Sequence, residues 1–197
     1  MAARLSQWDY LIVTASNELQ AGAYESQLKV RQGLGLLSDV REVMVVADPG
    51  GKRIGSGGST LYCLMEVLAR RLGEELRTAG PGEWEDVLRE LRILIVHAGG
   101  DSRRLPAYGP CGKIFVPVPG ESDSAVPLSL FDRQLPIYLA LPQTQAGTGQ
   151  VVITSGDVML RFEPDEVDFA AEGITGLACY ARPEQASRHG VFCRGQG

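Results

Sequence analysis

Short runs of apolar, β-favouring residues set the rhythm of this chain: Tyr10-Leu-Ile-Val13, residues 43–47, Ile93-Leu-Ile-Val96 and Val151-Val-Ile-Thr154. Each is apolar at consecutive rather than alternate positions, the pattern of a strand covered on both faces. Between the runs the spacing becomes helical. Residues 18–37 read as a helix capped by Asn17 and carrying Leu19, Ala23, Leu28 and Leu34, with Gly33 and Gly35 weakening its last turns. Leu61, Leu64, Met65, Leu68 and Leu72 recur at threes and fours, predicting a helix capped by Ser59 or Thr60 with that stripe turned inward. After the breaker Gly80-Pro81-Gly82, residues 84–91 form a short amphipathic helix. Residues 114–118 read as extended, and Pro127 opens a helix over 128–141 that Pro136 should kink. Further strands are predicted at 174–180 and 191–193. Alternation of strand and helix gives an α/β fold, a mostly parallel sheet with helices on both faces.

Composition narrows the classes. The 197 residues are 44% hydrophobic and 22% charged, enough to bury a core as one domain over 1–197. The formal net charge of -5 argues against a general nucleic-acid binder and against a membrane-surface protein, since both need a basic face. No apolar run approaches the roughly 20 residues that span a bilayer, and the first nine residues lack the apolar centre of a secretory signal. The expectation is a cytoplasmic protein. Cys63, Cys111, Cys179 and Cys193 form no C-x-x-C pair, so reduced thiols are expected rather than disulfides or a zinc site.

Glycine-rich segments follow strands, at the sheet edge where such folds bind ligands. The first runs from Asp48 through Lys52, Arg53, Gly57, Gly58 and Ser59 into a helix. Main-chain N–H groups there, with the basic pair, read either as an anion site or as a tight strand–helix turn with solvated charges. It lacks the Gly-Lys-[Ser/Thr] of a P-loop and the G-x-G-x-x-G of a dinucleotide fingerprint. The second is Val96-His-Ala-Gly-Gly-Asp-Ser-Arg-Arg-Leu-Pro106, continuing to Gly112-Lys113. Glycines admit phosphate oxygens close to the main chain, arginines offer planar forks, and lysine adds a mobile point charge. These are the parts needed to hold a triphosphate while its α-phosphorus is attacked. Asp157, in Ser155-Gly-Asp157 after a strand, is either a Mg²⁺ ligand or the cap of a turn. His97 and His189 are read as hydrogen-bonded structural residues with no catalytic role.

On these motifs the chain resembles the sugar-1-phosphate nucleotidyltransferases. Within them it is similar to the fucose-1-phosphate guanylyltransferase (GDP-fucose pyrophosphorylase) group, which includes the guanylyltransferase half of bifunctional fucokinase/GDP-fucose pyrophosphorylases. The matching stretches are Asp48-Pro through Ile54-Gly-x-Gly-Gly-Ser-Thr-Leu61, His97-Ala-Gly-Gly-x-Ser-x-Arg-Leu-Pro106 through Gly112-Lys113-Ile-Phe115, and Gly156-Asp157. Against the broad pattern Gly-Gly-x-Gly-Thr-Arg-Leu, Ser102 replaces a glycine and Arg103 a threonine, a departure the fucose-specific group shares. The resemblance implies a Rossmann-like nucleotidyltransferase sheet and transfer of GMP from GTP to fucose 1-phosphate. Arg104 and Lys113 would neutralise phosphate charge. Gly99, Gly100, Ser102, Arg103, Gly57, Gly58 and Ser59 would contact the nucleotide, and Asp157 would hold Mg²⁺.

His189-Gly-Val-Phe192 resembles a strand that in this family precedes the sugar-binding half, so the expectation is a domain lacking its C-terminal part. Two alternatives stand beside the enzyme reading. One is a non-catalytic nucleotide-binding remnant. The other is a fragment of a bifunctional fucokinase whose kinase domain lies outside this sequence.

Overall fold

A computed structural model describes residues 7–100, 106–108, 112–120, 128–144, 148–170 and 173–187. Its centre is a four-stranded sheet in the order β2-β1-β3-β4, formed by β1 (Trp8–Ala15), β2 (Val40–Ala47), β3 (Arg92–His97) and β4 (Gln150–Ser155). All pairings are parallel, with Leu11 beside Val43 and Leu94, and Ile95 beside Ile153. The consecutive apolar residues of β1 and β3 are buried because helices cover both faces, as the fold class expected.

One face carries α1 (Glu18–Gly33) and α4 (Leu130–Leu139). Leu11, Val13, Leu94 and Val96 pack there against Tyr24, Leu28, Phe131, Leu135 and Tyr138. The other carries α2 (Gly55–Leu72) and α3 (Pro81–Arg89), with Ile12, Met44, Ile93 and Ile95 against Cys63 and Val67. β1, β2 and β3 thus feed alternate side chains to two cores, whereas β4, expected to be covered on both faces, gives Val152 to the first core and leaves Val151 and Ile153 exposed at the sheet edge. A fifth helix, α5 (Pro183–Ala186), is a single turn.

Local chemistry explains several helix ends. Asn17 caps α1 by accepting the Gln20 N–H at 3.0 Å. Pro81 opens α3 and the Glu83 carboxylate accepts the Gly80 N–H at 2.8 Å. Ser129 and Asp132 form a capping box on α4, the carboxylate accepting the Ser129 N–H at 2.8 Å.

Several sequence expectations are corrected. The first helix ends at Gly33; Leu28 is buried as expected, whereas Leu19 and Leu34 are exposed and Ala21, Tyr24 and Arg31 join Leu28 on the inward face. The segment 48–58 is not one loop. A 3-10 turn, Pro49–Gly51, precedes α2, which begins at Gly55 with Ile54 as its uncapped N-cap, so neither Ser59 nor Thr60 caps it. The buried stripe of α2 is Ser59, Cys63, Val67 and Leu68, while Leu61 is exposed and Met65 partly so. Aliphatic spacing misled because the small residues Ser59 and Cys63 take buried positions on this helix. The next helix starts at Pro81 rather than Trp84, since a proline at the first position supports a start. The 114–118 segment holds a 3-10 turn, Lys113–Phe115, with Pro117 bridging Ser129. α4 spans two residues less at each end than 128–141 and continues through Pro136. Residues 174–180 form no strand and are exposed, and the strand expected at 191–193 lies outside the described residues. Cys63 is buried and Cys179 exposed, both free. Among the described residues, no helix is long and apolar enough to cross a membrane.

Candidate functional site

The C-terminal edge of the sheet holds the chemistry. Two clefts meet there, of about 240 and 250 Å³, sharing His97, Gly99 and Gly100. The first lies between the ends of β3 and β4 and is lined by Lys113, Ile114, Ser155 and Asp157. The second lies between the ends of β1 and β3 and the start of α2, lined by Thr14, Ser16, Asp48, Arg53, Ser56 and Ser59. Larger hollows elsewhere are remote from this edge: one beside Arg41 and Arg70 near the strand starts, one apolar groove between Leu36 and α4.

In the first cleft Lys113 Nζ stands 3.9 Å from Asp157 Oδ2, and both side chains keep solvent access. The other carboxylate oxygen of Asp157 accepts from Ser155 Oγ at 2.7 Å. Asp157 is thus oriented from one side and open on the other. Gly156 donates its N–H to the His97 carbonyl at 2.8 Å, which fixes the β4 exit against the β3 exit.

Lys113 is positioned from below. It begins a 3-10 turn whose Ile114 and Phe115 are buried. Phe115 packs on Tyr24 and Phe131, with ring centroids 5.3 and 5.2 Å apart. The Arg31 guanidinium lies 4.9 Å from the Phe115 centroid and grips Asp132 with both ends, at 2.5 and 2.6 Å. Burial alone would raise the Asp132 carboxyl; Arg31 and the Ser129 hydrogen bonds outweigh it and hold it below the ordinary 3.8. Gly112, just before Lys113, has φ +64°, and a Cβ there would collide with the Tyr24 ring. The Tyr24 hydroxyl donates to the Ala98 carbonyl at 2.9 Å, so α1 supports both the glycine segment and the lysine turn.

The glycine pair is packed against β1. A Cβ on Gly99 would come within 3.3 Å of the Ala15 carbonyl carbon. Ala98 and Gly99 direct their N–H groups at Thr14 Oγ1, at 3.1 and 3.4 Å. Gln20 donates to the Gly100 carbonyl at 3.1 Å and its amide oxygen accepts from Ser16 N–H at 2.8 Å. The Gly99 N–H is therefore partly engaged within the protein.

In the second cleft the helix starting at Gly55 leaves the N–H groups of residues 54–57 without helix partners. Gly57 is among these, whereas Gly58 and Ser59 lie in continuous helix. Ser59 is 94% removed from solvent, yet it borders the cleft. Gly57 and Gly58 do not line it. His97 stands between the clefts, its Nε2 2.9 Å from Thr60 Oγ1 and its Nδ1 3.5 Å from Thr14 Oγ1. Burial lowers its pKa below the ordinary 6.5, opposed by the Asp48 carboxylate.

The edge thus unites Lys113, Asp157, Gly99 and Gly100, with Ser59 on the neighbouring cleft. Ser102, Arg103 and Arg104 lie outside the described residues. Sequence reasoning missed Thr14, Asp48, Ser56 and the bridging position of His97. A signal existed: the apolar rows Tyr10-Ile12 and Ile93-Ile95 each turn polar at the next step along the same face, at Thr14 and His97. Among the described residues, no group of three or more His, Cys, Asp or Glu could cage a metal. Asp157 offers one hard-oxygen donor, which suits an ion that takes its remaining ligands from water and phosphate.

Glycines, a lysine and a carboxylate thus gather at the C-terminal edge of a parallel α/β sheet, the edge at which such sheets bind ligands. The family model described as the fucose pyrophosphorylase domain matches residues 85–196, and the chain belongs to that family. Among its relatives, the bifunctional fucokinase/GDP-fucose pyrophosphorylase of Arabidopsis thaliana is 35% identical over 96% of this chain and 19% of its own. An L-fucokinase/L-fucose-1-P guanylyltransferase of Bacteroides fragilis is 38% identical over 74% of this chain and 15% of its own. The fucose-1-phosphate guanylyltransferase of Homo sapiens is 30% identical over 98% of this chain and 29% of its own. The chain therefore spans less than a third of the length of these relatives. No solved structure matches it.

Proposed function

We propose that this edge transfers a nucleotidyl group: fucose 1-phosphate and GTP give GDP-fucose and pyrophosphate. The observation that carries the reading is the pairing of Lys113 and Asp157 across a cleft floored by Gly99 and Gly100. Relatives bearing the name fucose-1-phosphate guanylyltransferase match over 94 and 98% of this chain, which supports the same reading. An oxygen of the sugar phosphate forms a bond to the α-phosphorus while the bond to the β-phosphate oxygen breaks. Such transfer needs charge neutralisation and alignment more than a strong base. Lys113 supplies a mobile positive charge to the phosphates as negative charge shifts toward pyrophosphate. Arg104, by the resemblance, adds a planar fork to the same task. Main-chain N–H groups at Gly100 and at the start of α2 orient phosphate oxygens. Asp157 is the residue that would hold Mg²⁺, which when bound neutralises phosphate charge.

Calorimetric titration of the chain with GTP and Mg²⁺, followed by a pyrophosphate-release assay with fucose 1-phosphate, tests this. Saturable GTP binding and turnover are expected. Binding without pyrophosphate release would leave the non-catalytic reading, and absence of both would overturn the nucleotide site. An assay of ADP release from ATP and fucose tests the fucokinase-fragment reading, and none is expected of these 197 residues.

A further inference from the structure

His97 has no part in the transfer just described, yet it sits where the two clefts meet. Its place follows from the strand period. On the α2 face, the row Tyr10-Ile12 of β1 continues to Thr14, and the row Ile93-Ile95 of β3 continues to His97. The parallel register that sets Val13 beside Val96 carries these two polar residues side by side. Thr60, on the second turn of α2, meets the imidazole from above the sheet.

Hydrogen-bond bookkeeping then orients the ring. Thr14 Oγ1 faces Ala98 N at 3.1 Å, Gly99 N at 3.4 Å and His97 Nδ1 at 3.5 Å. A hydroxyl has one proton and two lone pairs. Backbone N–H groups can only donate, so they take the lone pairs, and the hydroxyl proton is directed to Nδ1. Nδ1 is then an acceptor, and a neutral imidazole carries its proton on Nε2. That N–H donates to Thr60 Oγ1 at 2.9 Å. The opposite tautomer would aim a ring proton at an oxygen whose lone pairs are already engaged. Both ring nitrogens are occupied, so His97 is not poised as a general base.

We propose that His97 is a positioning residue: held in the Nε2–H tautomer between Thr14 and Thr60, it ties the glycine segment 98–100 to α2 and fixes the spacing of the two cleft walls. The role rests on the reading of this edge as a nucleotide site. The chain runs from the Ala98 and Gly99 N–H groups through Thr14 and His97 to Thr60. It joins one phosphate-facing segment to the helix that bears the other. Removing the ring cuts the tie without touching a reacting atom. The loss falls on nucleotide affinity, not on the chemical step.

The test uses the whole 197-residue chain. Long-range proton–nitrogen NMR of the imidazoles, with a His189→Asn variant to assign the His97 signals, reads the tautomer directly. Nε2–H is expected, and Thr60→Val should shift the Nε2 resonance. His97→Ala should weaken GTP–Mg²⁺ binding about tenfold, the worth of one lost hydrogen-bond tie, while kcat stays within about twofold. His97→Gln, whose amide nitrogen can still donate toward Thr60, should restore most of that affinity. Should His97→Ala fail to fold, the near-isosteric Thr60→Val carries the same binding readout. An Nδ1–H tautomer, or Thr60→Val and His97→Ala proteins that bind GTP like the wild type, would overturn the proposal. Failure of the wild type to bind GTP would sink the nucleotide reading instead, and the tautomer measurement would still decide the hydrogen-bonded tie.

Discussion

Two acid–base pairs of this protein use the same chemistry to opposite ends. Arg31 and Asp132 face each other in bidentate contact and are almost wholly buried, 4% and 6% exposed at the side chain. Lys113 and Asp157 stand 3.9 Å apart, 41% and 57% exposed. The first pair is saturated: Ser129 and Gln27 complete its hydrogen bonds, and aromatic rings flank the guanidinium. The second leaves a carboxylate oxygen and an ammonium turned to a cleft. A committed pair cannot serve a ligand, and an open pair contributes little to the fold. The buried pair clamps α1 to α4 beneath the turn that carries Lys113, so one pair holds the other in place.

Breaking the buried pair should have the largest effect. Asp132→Ala leaves the Arg31 guanidinium buried without its carboxylate and should cost about 3–5 kcal/mol of stability by urea denaturation. A loss under about 1 kcal/mol would show that the clamp is dispensable. Lys113→Ala should cut GDP-fucose formation about a hundredfold, near 3 kcal/mol in barrier, with the urea midpoint unchanged. Near-normal turnover would remove Lys113 from the mechanism. Gly112→Ala forces a side chain into left-handed backbone and into Tyr24, and should destabilise by about 1–3 kcal/mol. Activity should fall with it because Lys113 is displaced. The smallest expected term is the direct coupling of the open pair. A Lys113/Asp157 double-mutant cycle on stability should return about 0–1 kcal/mol, and a larger value would place that pair with the structural one.

Acid sharpens the same contrast. The Asp132 carboxyl is held below 3.8, so its contribution is full above that value and is lost as pH falls through the lower, folded pKa. His97 is a base whose pKa is lowered by burial. Its unfolded form binds a proton first, so stability is full above 6.5 and declines as pH falls from 6.5 through the folded value. The first acid loss, in the weakly acidic range, should therefore vanish in His97→Gln. The second, at lower pH, should vanish in variants lacking Asp132. Urea midpoints measured across pH check both. Asp48, Arg53, Lys113 and Asp157 share the clefts with His97 and would modulate its limb.

Much of the sheet was legible before any coordinates. The runs at Leu11 and Ile95 are apolar at consecutive positions because helices cover both faces, whereas the run at the edge strand β4 leaves Val151 and Ile153 exposed and is covered on one face. Asn17 announced α1 because its side chain competes for the first free N–H groups. The start of α2 was hidden, since Gly55 to Gly58 look like a turn and become helix only when the stripe Ser59-Cys63-Val67 meets the sheet. The segment 174–180 shows the reverse error: β-favouring residues without a pairing neighbour form no strand.

By itself the chain determined its α/β class, the parallel order of elements and the family to which it belongs, because these follow from local periodicity and short motifs. Only the tertiary structure decided that Lys113 meets Asp157, that Arg31 is a buried clamp and that His97 bridges Thr14 and Thr60. Those contacts join residues 37 to 101 positions apart, and the packing of helices on the sheet, rather than any spacing along the sequence, brings them together.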